Sequence, residues 1–366
     1  MLHGKSVGVV VPAYNEQTQI GKVIETVPEF VDRIVVINDC SNDRTREVVE
    51  GFFGGSCDPD RPLPDPKTER VSAHDYGDFQ RLLEEKLRSE EKFYPAFEPC
   101  RRAPDSRIVL LNHRKNQGKG GGIVTGYKWC SDAHIDCVAT MDGDGQMAPD
   151  ELESLCLPIV SGKVDYAKAN RLIHSGAKLA IPQIRFLGNS ILSILTKIAS
   201  GYWHVSDTQT GYAAISLTAL QSLDIYKIYR SYGYPNDVLV KLNINRCTIT
   251  EVESKPIYHI GEQSKMKIRK VIPRLSMLLL RLFFLRLWQK YLFRDFHPLF
   301  LLYHFGFLLL LGAVPYAVKI IYVACTSSHP VGVLPVLAFF FLFITGIQFL
   351  LFAMWMDIQD NERLYR

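Results

Sequence analysis

Two long apolar stretches near the end of the chain constrain its fold more than any other feature. Residues 298–318 and 333–355 contain no Lys, Arg, Asp or Glu. Each is long enough to cross the hydrocarbon core of a bilayer, which takes about 20 residues. The link between them carries one formal charge, Lys319. We therefore predict a two-helix transmembrane hairpin over residues 297–366 that ends in a short tail.

A basic segment precedes the first apolar stretch. Residues 265–296 mix apolar residues with Lys and Arg, and they hold no acidic residue before Asp295. This pattern predicts amphipathic helices that lie on anionic lipid. Because positive charge marks the cytosolic side of a span, we predict that the preceding domain and both termini are cytosolic. The basic positions from residue 267 onward are Lys267, Arg269, Lys270, Arg274, Arg281, Arg286, Lys290 and Arg294.

Residues 1–264 alternate between short apolar runs and amphipathic segments. Alternation of this kind predicts an α/β domain whose sheet is parallel at its centre. Residues 51–106 interrupt the alternation with a polar, Pro-rich insertion, for which we predict a surface elaboration or a partly disordered loop. The predicted strands cover residues 5–11, 33–37, 107–111 and 136–141.

Composition does not favour a nucleic-acid-binding protein or a zinc protein. A formal net charge of +4 over 366 residues is too small to indicate a nucleic-acid-binding surface. The 8 cysteines form no CxxC pair and no zinc-type spacing with histidine. We therefore predict buried free thiols in a reducing compartment and no nucleic-acid partner.

The run DGDGQ at 142–146 follows the fourth predicted strand. Asp142, Asp144 and Gln146 place oxygen atoms at alternating positions at the carboxyl end of a strand, where open α/β sheets bind ligands. Such oxygen sets suit Mg²⁺ or Mn²⁺, and a metal here would hold a diphosphate. An ordinary Asp-Gly turn is the simpler reading. An EF-hand loop is disfavoured because Met147 stands where that loop needs glycine.

Two further motifs end strands at the same predicted edge. They are PAYNE at 12–16 and NDCSND at 38–43. Tyr14 is suited to support a base or ribose, while Glu16 and Asp39 are suited to accept hydrogen bonds from those groups. Read singly, the motifs are also typical of a strand-to-helix turn and a helix N-cap.

A glycine-rich run, NQGKGGG at 116–122, precedes a predicted helix. It matches neither the Walker pattern nor GxGxxG, yet a helix start with Lys119 suits a nucleotide phosphate. Taken in order, PAYNE, INDCSNDRT, NQGKGGG and DGDGQ resemble the family 2 glycosyltransferases of GT-A fold. Within them, the chain resembles the polyprenol-phosphate (dolichol-phosphate) mannosyl- or glucosyltransferases. DTQTGY at 207–212 fits that branch, and the QxxRW signature of processive synthases is absent.

The resemblance implies a Rossmann-like mixed sheet of the GT-A type, and it assigns roles to particular positions. The chain departs from the family pattern at Cys40, where glycine is usual, and at Tyr258, where arginine is usual. The implied roles are a nucleoside pocket of Pro12, Tyr14, Glu16 and Asp39, a metal site of Asp142, Asp144 and Gln146, phosphate contacts from Arg171 and Arg185, and a loop with Ser264 and Lys265 near the donor and acceptor phosphates.

The implied reaction is an inverting transfer of mannose or glucose from GDP-mannose or UDP-glucose. The acceptor is a polyprenyl (dolichyl or undecaprenyl) phosphate on the cytosolic face of a membrane. A lipid phosphate is ionised near neutral pH, because the second pKa of a phosphate monoester is about 6. Cations that bring two anions together are therefore needed more than a general base. We assign that catalytic role to Arg171, Arg185 and Lys265, together with Asp144 at the metal.

Two alternatives remain open from the sequence. The first is a family 2 enzyme that acts on another lipid-linked or hydroxyl acceptor, for which Asp207 or Asp237 would serve as the general base. The second is a catalytically silent membrane protein that binds a nucleotide sugar.

Overall fold

Apolar strand residues build an eight-stranded mixed sheet. The structure, a computed structural model, describes residues 1–53, 90, 92–95, 97–100, 106–174, 183–257, 268–326 and 330–366; the side chains of 98–100, 183–189 and 268–271 lie outside that description. The strands are β1 (Val7–Ala13), β2 (Arg33–Asn38), β3 (Phe97–Cys100), β4 (Ile108–His113), β5 (Cys137–Thr140), β6 (Tyr166–Asn170), β7 (Ala213–Ser216) and β8 (Ile249–Glu253).

The central strands are parallel, as the alternation of strands and helices predicts. Across the sheet the order is β3-β4-β2-β1-β5-β7-β6-β8. Strands β4, β2, β1 and β5 run parallel, whereas β3 and β7 are antiparallel to their neighbours. Because parallel strands end at one edge, the loops after these four strands share that edge. The predicted mixed α/β sheet of the GT-A type is confirmed.

Helices cover both faces of the sheet, so successive strand residues enter different cores. Val9 packs in one core with Ile20, and Val10 packs in the other with Ile123. The helices are α1 (Ile20–Thr26), α2 (Thr45–Gly51), α3 (Lys119–Asp132), α4 (Leu152–Val160), α5 (Gln183–Ser200), α6 (Leu217–Ser222), α7 (Tyr234–Ile244), α8 (Ile268–Trp288), α9 (Pro298–Thr326) and α10 (Val333–Glu362), with short 3₁₀ turns at Pro149–Glu151 and Ile225–Lys227 and a π-helical segment at Gln289–Arg294.

Part of the predicted insertion at 51–106 belongs to the sheet. Strand β3 pairs antiparallel with β4, with Phe97 opposite His113. This pairing was not predicted, and the interpretation of the insertion as a surface elaboration stays a prediction. Most of the remaining insertion falls outside the described residues. The prediction of buried free thiols is confirmed at Cys130, Cys137, Cys156 and Cys247.

Helices α9 and α10 are longer than the predicted spans. They continue past residues 318 and 355 to Thr326 and Glu362. Within the most apolar window of each helix, only 6% and 11% of the residues are buried by the protein, which is unlike the core helix of a soluble domain. A Cβ on Gly306 would lie 3.2 Å from the carbonyl oxygen of Gly346. Two residues without side chains therefore let the helices approach closely.

A buried ion pair joins α10 to the helix before the hairpin. Arg286 donates from Nη1 and Nη2 to the Asp357 carboxylate at 2.7 Å each, and both side chains are 0% exposed. Arg286 also donates to the carbonyl of Ala199 in α5. Lys290 is buried as well, and it donates to Asn361 at 2.5 Å. The prediction that the basic residues of 265–296 face lipid is therefore wrong for Arg286 and Lys290.

The end of the chain returns to the sheet. Ile249 of β8 donates its backbone N–H to the Leu364 carbonyl at 2.8 Å, and Arg366 donates to the Ile249 carbonyl at 2.9 Å. The Thr250 hydroxyl donates to the Arg366 carbonyl at 2.5 Å. The sequence predicted a short tail after α10 but not this pairing. The sheet therefore packs at the end of the hairpin where α10 finishes.

Candidate active site

The turns after β1 and β2 form one hydrogen-bonded surface. Asp39 donates its backbone N–H to the Ala13 carbonyl at 2.9 Å. Asn15 donates its N–H to the Ser41 hydroxyl at 3.0 Å, and Asn42 donates to the Asn15 side chain at 2.9 Å. The PAYNE and NDCSND motifs are therefore held together at the shared sheet edge.

Asp39 is anchored inside the protein. Its Oδ1 lies 2.7 Å from His113 Nδ1 and accepts the Gln117 N–H at 2.8 Å, while its Oδ2 accepts the Gly118 N–H at 2.9 Å. The residue is 4% exposed. A carboxylate offers about four acceptor sites, so roughly one is left for a ligand. Asp39 fixes the backbone that leads into α3, and its contact with a nucleoside stays a prediction.

The backbone explains why glycine is usual at the position of Cys40. Cys40 has a φ of 59°, in the left-handed region that a Cβ disfavours. Asn15 in the facing turn has a φ of 55°, and asparagine tolerates this region. The departure from the family pattern at Cys40 therefore places a Cβ in a backbone conformation that disfavours one.

The acidic run after β5 lies beside the start of α3. Lys119 Nζ lies 2.5 Å from Asp142 Oδ2. Asp144 accepts the Gln146 N–H at 3.0 Å. Burial, followed by the negative charge of Asp142, raises the pKa of Asp144 to about 6. The site thus concentrates negative charge that Lys119 offsets only in part.

This donor set fits a hard divalent cation. The side chains of Asp142, Asp144 and Gln146 supply the oxygen ligands that Mg²⁺ and Mn²⁺ prefer, and a dication would relieve the repulsion that raises the pKa of Asp144. No group of three or more His, Cys, Asp or Glu side chains suited to a metal occurs in the described part of the chain. A complete coordination shell therefore requires other oxygen ligands, such as a diphosphate or water.

Two of the predicted nucleoside residues, Pro12 and Glu16, border the acidic run. A Cβ on Gly143 would lie 3.2 Å from the Pro12 carbonyl oxygen. The charge of Glu16 also contributes to the raised pKa of Asp144, which places Glu16 near that carboxylate. Tyr14 is partly exposed in the turn between Pro12 and Glu16. The structure therefore brings Pro12, Glu16 and the acidic run into one region.

Arg171, which the resemblance assigns to a phosphate, is paired with Asp207. Its Nε and Nη2 donate to the two carboxylate oxygens at 2.8 and 3.2 Å. Burial opposes ionisation of Asp207, but the charge and hydrogen bonds of Arg171 outweigh it and hold the pKa of Asp207 below its usual value. Glu251 accepts the N–H groups of Ser206 and Asp207. The DTQTGY segment is thus fixed from two sides, and phosphate contact by Arg171 stays a prediction.

Three predicted site residues cannot be placed. Ser264 and Lys265 lie outside the described residues. Arg185 belongs to α5, but its side chain lies outside the description. Their assigned roles stay predictions.

Helix α5 is a feature that sequence reasoning missed. It exposes Ile191, Ile194 and Leu195, which share one helical face, while Ser193 and Thr196 are buried. A helix with its apolar face outward is typical of a membrane interface. The apolar spacing was visible in the sequence, but a helix packed on a core gives the same spacing. Only the burial pattern distinguishes the two.

Comparisons with known proteins identify the family of this chain. The family model "Glycosyl transferase family 2" matches residues 8–61 and 96–224. A UDP-N-acetylglucosamine–dolichyl-phosphate N-acetylglucosaminyltransferase of Methanococcus voltae is 25% identical over 255 residues, which cover 69% of this chain and 86% of that protein. An undecaprenyl-phosphate mannosyltransferase of Micrococcus luteus is 25% identical over 139 residues, or 38% of this chain and 56% of that protein.

A further relative is a dolichyl-phosphate beta-glucosyltransferase of Trichomonas vaginalis, 27% identical over 282 residues, which cover 72% of this chain and 66% of that protein. Among solved structures, glucosyl-3-phosphoglycerate synthase from Mycobacterium tuberculosis in complex with uridine-diphosphate is similar at 17% identity and a TM-score of 0.46, covering 77% of this chain and 80% of that one. The family assignment rests on the family model, which matches half of the chain. This chain is a glycosyltransferase that belongs to glycosyl transferase family 2.

Proposed function

We propose that this chain is a membrane-bound inverting hexosyltransferase that moves a sugar from a nucleotide sugar to a polyprenyl phosphate. One observation carries the proposal. The acidic run with Lys119, suited to a metal and a diphosphate, belongs to a domain that is packed onto an apolar helical hairpin. Relatives named as dolichyl- or undecaprenyl-phosphate transferases support this class of acceptor.

The donor would lie along the edge that β1, β2 and β5 share. A bound Mg²⁺ or Mn²⁺ would offset the charge that builds up on the leaving nucleotide. Lys119 adds a positive charge next to that position, at the amino end of α3, where helix N–H groups favour anions. In this proposal Pro12, Tyr14, Glu16 and Asp39 hold the nucleoside, Asp142, Asp144 and Gln146 hold the metal, and Ser264 lies near the diphosphate.

The burial and ion pairing of the two candidate general bases, Asp207 and Asp237, support a phosphate acceptor over a hydroxyl acceptor. Asp207 is 2% exposed and is paired with Arg171. Asp237 is 3% exposed, accepts the Tyr229 N–H at 2.7 Å and is paired with Lys241 at 2.7 Å. Both carboxylates are buried and paired with a protein cation, which does not suit a general base.

A phosphate that is already ionised needs no proton removed. The proposed task of the protein is therefore to hold two anions together so that the acceptor oxygen attacks the anomeric carbon opposite the leaving diphosphate. Arg171, Arg185 and Lys265 are the proposed cations for that task, because guanidinium and ammonium groups bind phosphate by charge-assisted hydrogen bonds.

The proposed orientation has the catalytic domain and both termini in the cytosol. Arg274 and Arg281 are exposed on α8, next to the first span, as expected for the cytosolic side. The tail after α10 pairs with β8, which supports a hairpin that returns to the side of the catalytic domain. The exposed stripe on α5 adds apolar surface to the same region.

A transfer assay tests the proposal. Purified protein in lipid nanodiscs receives polyprenyl phosphate, Mn²⁺ and one radiolabelled donor: GDP-mannose, UDP-glucose or UDP-N-acetylglucosamine. We expect label from one donor to enter the lipid fraction. Asp144→Ala and Gln146→Ala should abolish this transfer, whereas Asp150→Asn, at an exposed position, should not.

The other outcomes identify the alternatives. Full activity in EDTA would contradict the metal assignment. Transfer only to a hydroxyl acceptor would favour the other kind of family 2 enzyme. Donor binding without any transfer would indicate a silent nucleotide-sugar-binding protein.

A further inference from the structure

Tyr234, in the first turn of α7, carries a buried hydroxyl without a partner. The residue is 4% exposed, and its hydroxyl makes no hydrogen bond within the described part of the chain. A buried polar group without a partner destabilises a fold. Such groups are rare in proteins and call for an explanation, such as a partner that the group gains in another state.

The hydroxyl of Tyr234 lies beside the Lys119–Asp142 pair. A Cβ on Gly211 would collide with the Tyr234 oxygen and would lie 3.7 Å from Lys119 Nζ. The Gly211 carbonyl accepts a hydrogen bond from Thr140 at 2.5 Å, so this glycine is fixed against β5. The phenol and the ammonium therefore pack over the same residue, which has no side chain to separate them.

A divalent cation on Asp142 would displace the ammonium. Lys119 Nζ is in contact with Asp142 Oδ2 at 2.5 Å, and a cation bound to the same oxygen would repel it. The displaced ammonium needs an acceptor close by. The phenol oxygen of Tyr234 is an acceptor, and both it and Lys119 Nζ lie within 4 Å of the position that a Cβ on Gly211 would occupy.

We propose that the Tyr234 hydroxyl is the second binding position of the Lys119 ammonium, occupied when a divalent cation binds Asp142. The inference rests on the metal site of the proposed function. In this role Tyr234 is a positioning residue, since it acts through Lys119. It lowers the free-energy cost of displacing the lysine and keeps the lysine charge beside the diphosphate. Gly211 is required because any side chain there would occupy the meeting place of the two groups.

Binding of Mn²⁺ alone, measured by electron paramagnetic resonance without donor, tests the inference. Tyr234→Phe should weaken Mn²⁺ binding about threefold to tenfold, the worth of one hydrogen bond. Its melting temperature should equal or exceed that of the wild type, because an unpartnered buried hydroxyl is removed. Tyr303→Phe is the matched control: it also removes a buried hydroxyl without a described partner, in α9, and should leave Mn²⁺ binding unchanged.

Repeating the measurement in the Lys119→Met variant distinguishes a role of Tyr234 through Lys119 from a purely structural role. Lys119→Met removes the competing ammonium, so Mn²⁺ should bind more tightly, and Tyr234→Phe should then have no further effect. Equal effects of Tyr234→Phe in both backgrounds, or no effect in either, would overturn the inference. If the wild type binds Mn²⁺ and Asp142→Asn abolishes that binding, the metal site stands whatever Tyr234→Phe does. If the wild type binds no Mn²⁺, the metal site and this inference fail together.

Discussion

Because the Arg286–Asp357 ion pair is buried, we predict that a substitution of Asp357 by a residue of the same shape greatly reduces the stability of the protein. The Asp357 carboxylate accepts hydrogen bonds from Arg286 Nη1 and Nη2 at 2.7 Å each, and from Tyr291 and Asn361 at 2.8 Å each. Asp357→Asn keeps the shape of the side chain but removes its charge. It also places an NH₂ donor among groups that are themselves donors, while Arg286 stays charged and 0% exposed.

The size of the expected loss in unfolding free energy follows from the burial of the Arg286–Asp357 pair. Removing one partner of a buried ion pair costs about 3–5 kcal/mol, because the other charge is left without compensation. At roughly 2 °C per kcal/mol for a large chain, the melting temperature should fall by about 6–10 °C. Asp150→Asn is the matched control. Its ion pair with Lys255 has side chains 68% and 59% exposed, and such pairs contribute little, so the melting temperature should not change.

The assay is thermal unfolding of the protein in nanodiscs, followed by tryptophan fluorescence. The double variant Arg286→Met with Asp357→Leu removes both charges and should recover part of the loss, since no uncompensated charge remains. A melting temperature for Asp357→Asn within about 2 °C of the wild type would refute the reasoning that this variant leaves an uncompensated buried charge on Arg286. The reasoning also implies that deleting 297–366 exposes Arg286 unpaired, so loss of activity after that deletion would not report membrane anchoring alone.

Three further predictions concern the catalytic domain. Cys40 has a Cβ at a positive φ, which costs about 1 kcal/mol of strain, so Cys40→Gly should raise the melting temperature slightly in the same unfolding assay. A clear decrease in the melting temperature would contradict this reasoning. Burial lowers the pKa of Lys168 to about 8, so the unfolded chain binds more protons. Stability should therefore rise by about 1 kcal/mol from pH 7 to 9, and Lys168→Met should remove that rise. Ile191→Glu with Ile194→Glu should raise the KM for long-chain polyprenyl phosphate by about tenfold or more, with the donor KM unchanged; equal changes in both would point to misfolding.

The centre of the sheet could be predicted because buried parallel strands are apolar throughout and are bounded by turn residues. The strand predicted at 136–141 is observed as Cys137–Thr140, and the one at 33–37 as Arg33–Asn38. Once these strands are parallel, their carboxyl ends meet, so the convergence of the motifs at one edge follows from topology. The contact between Lys119 and the acidic run did not follow from topology alone, because β2 and β1 separate β4 from β5 in the sheet.

Features that depend on distant partners could not be predicted. Strand β3 lies at the edge of the sheet, within a polar stretch that lacks a continuous apolar run. Arg286 looks like a lipid-facing cation because the sequence does not show that its partner lies 71 residues further on. Tyr234 gave no signal, since a tyrosine in the first turn of a helix is ordinary. The proposed role of Tyr234 rests on its hydroxyl having no hydrogen-bond partner among the described residues and on the position of Gly211.

The tail after α10 gives the hairpin a structural role in addition to the proposed membrane anchoring. Arg366 and Ile249 pair at the start of β8, and two residues later Glu251 accepts the N–H of Asp207, which in turn holds Arg171. The residues after α10 and the proposed phosphate-binding arginine are therefore connected through hydrogen bonds and the backbone of β8. In the proposed reaction the acceptor phosphate lies at the depth of the lipid headgroups. A site attached by a flexible linker would sample many depths, whereas this connection and the Arg286–Asp357 pair hold the catalytic domain at one depth relative to the hairpin.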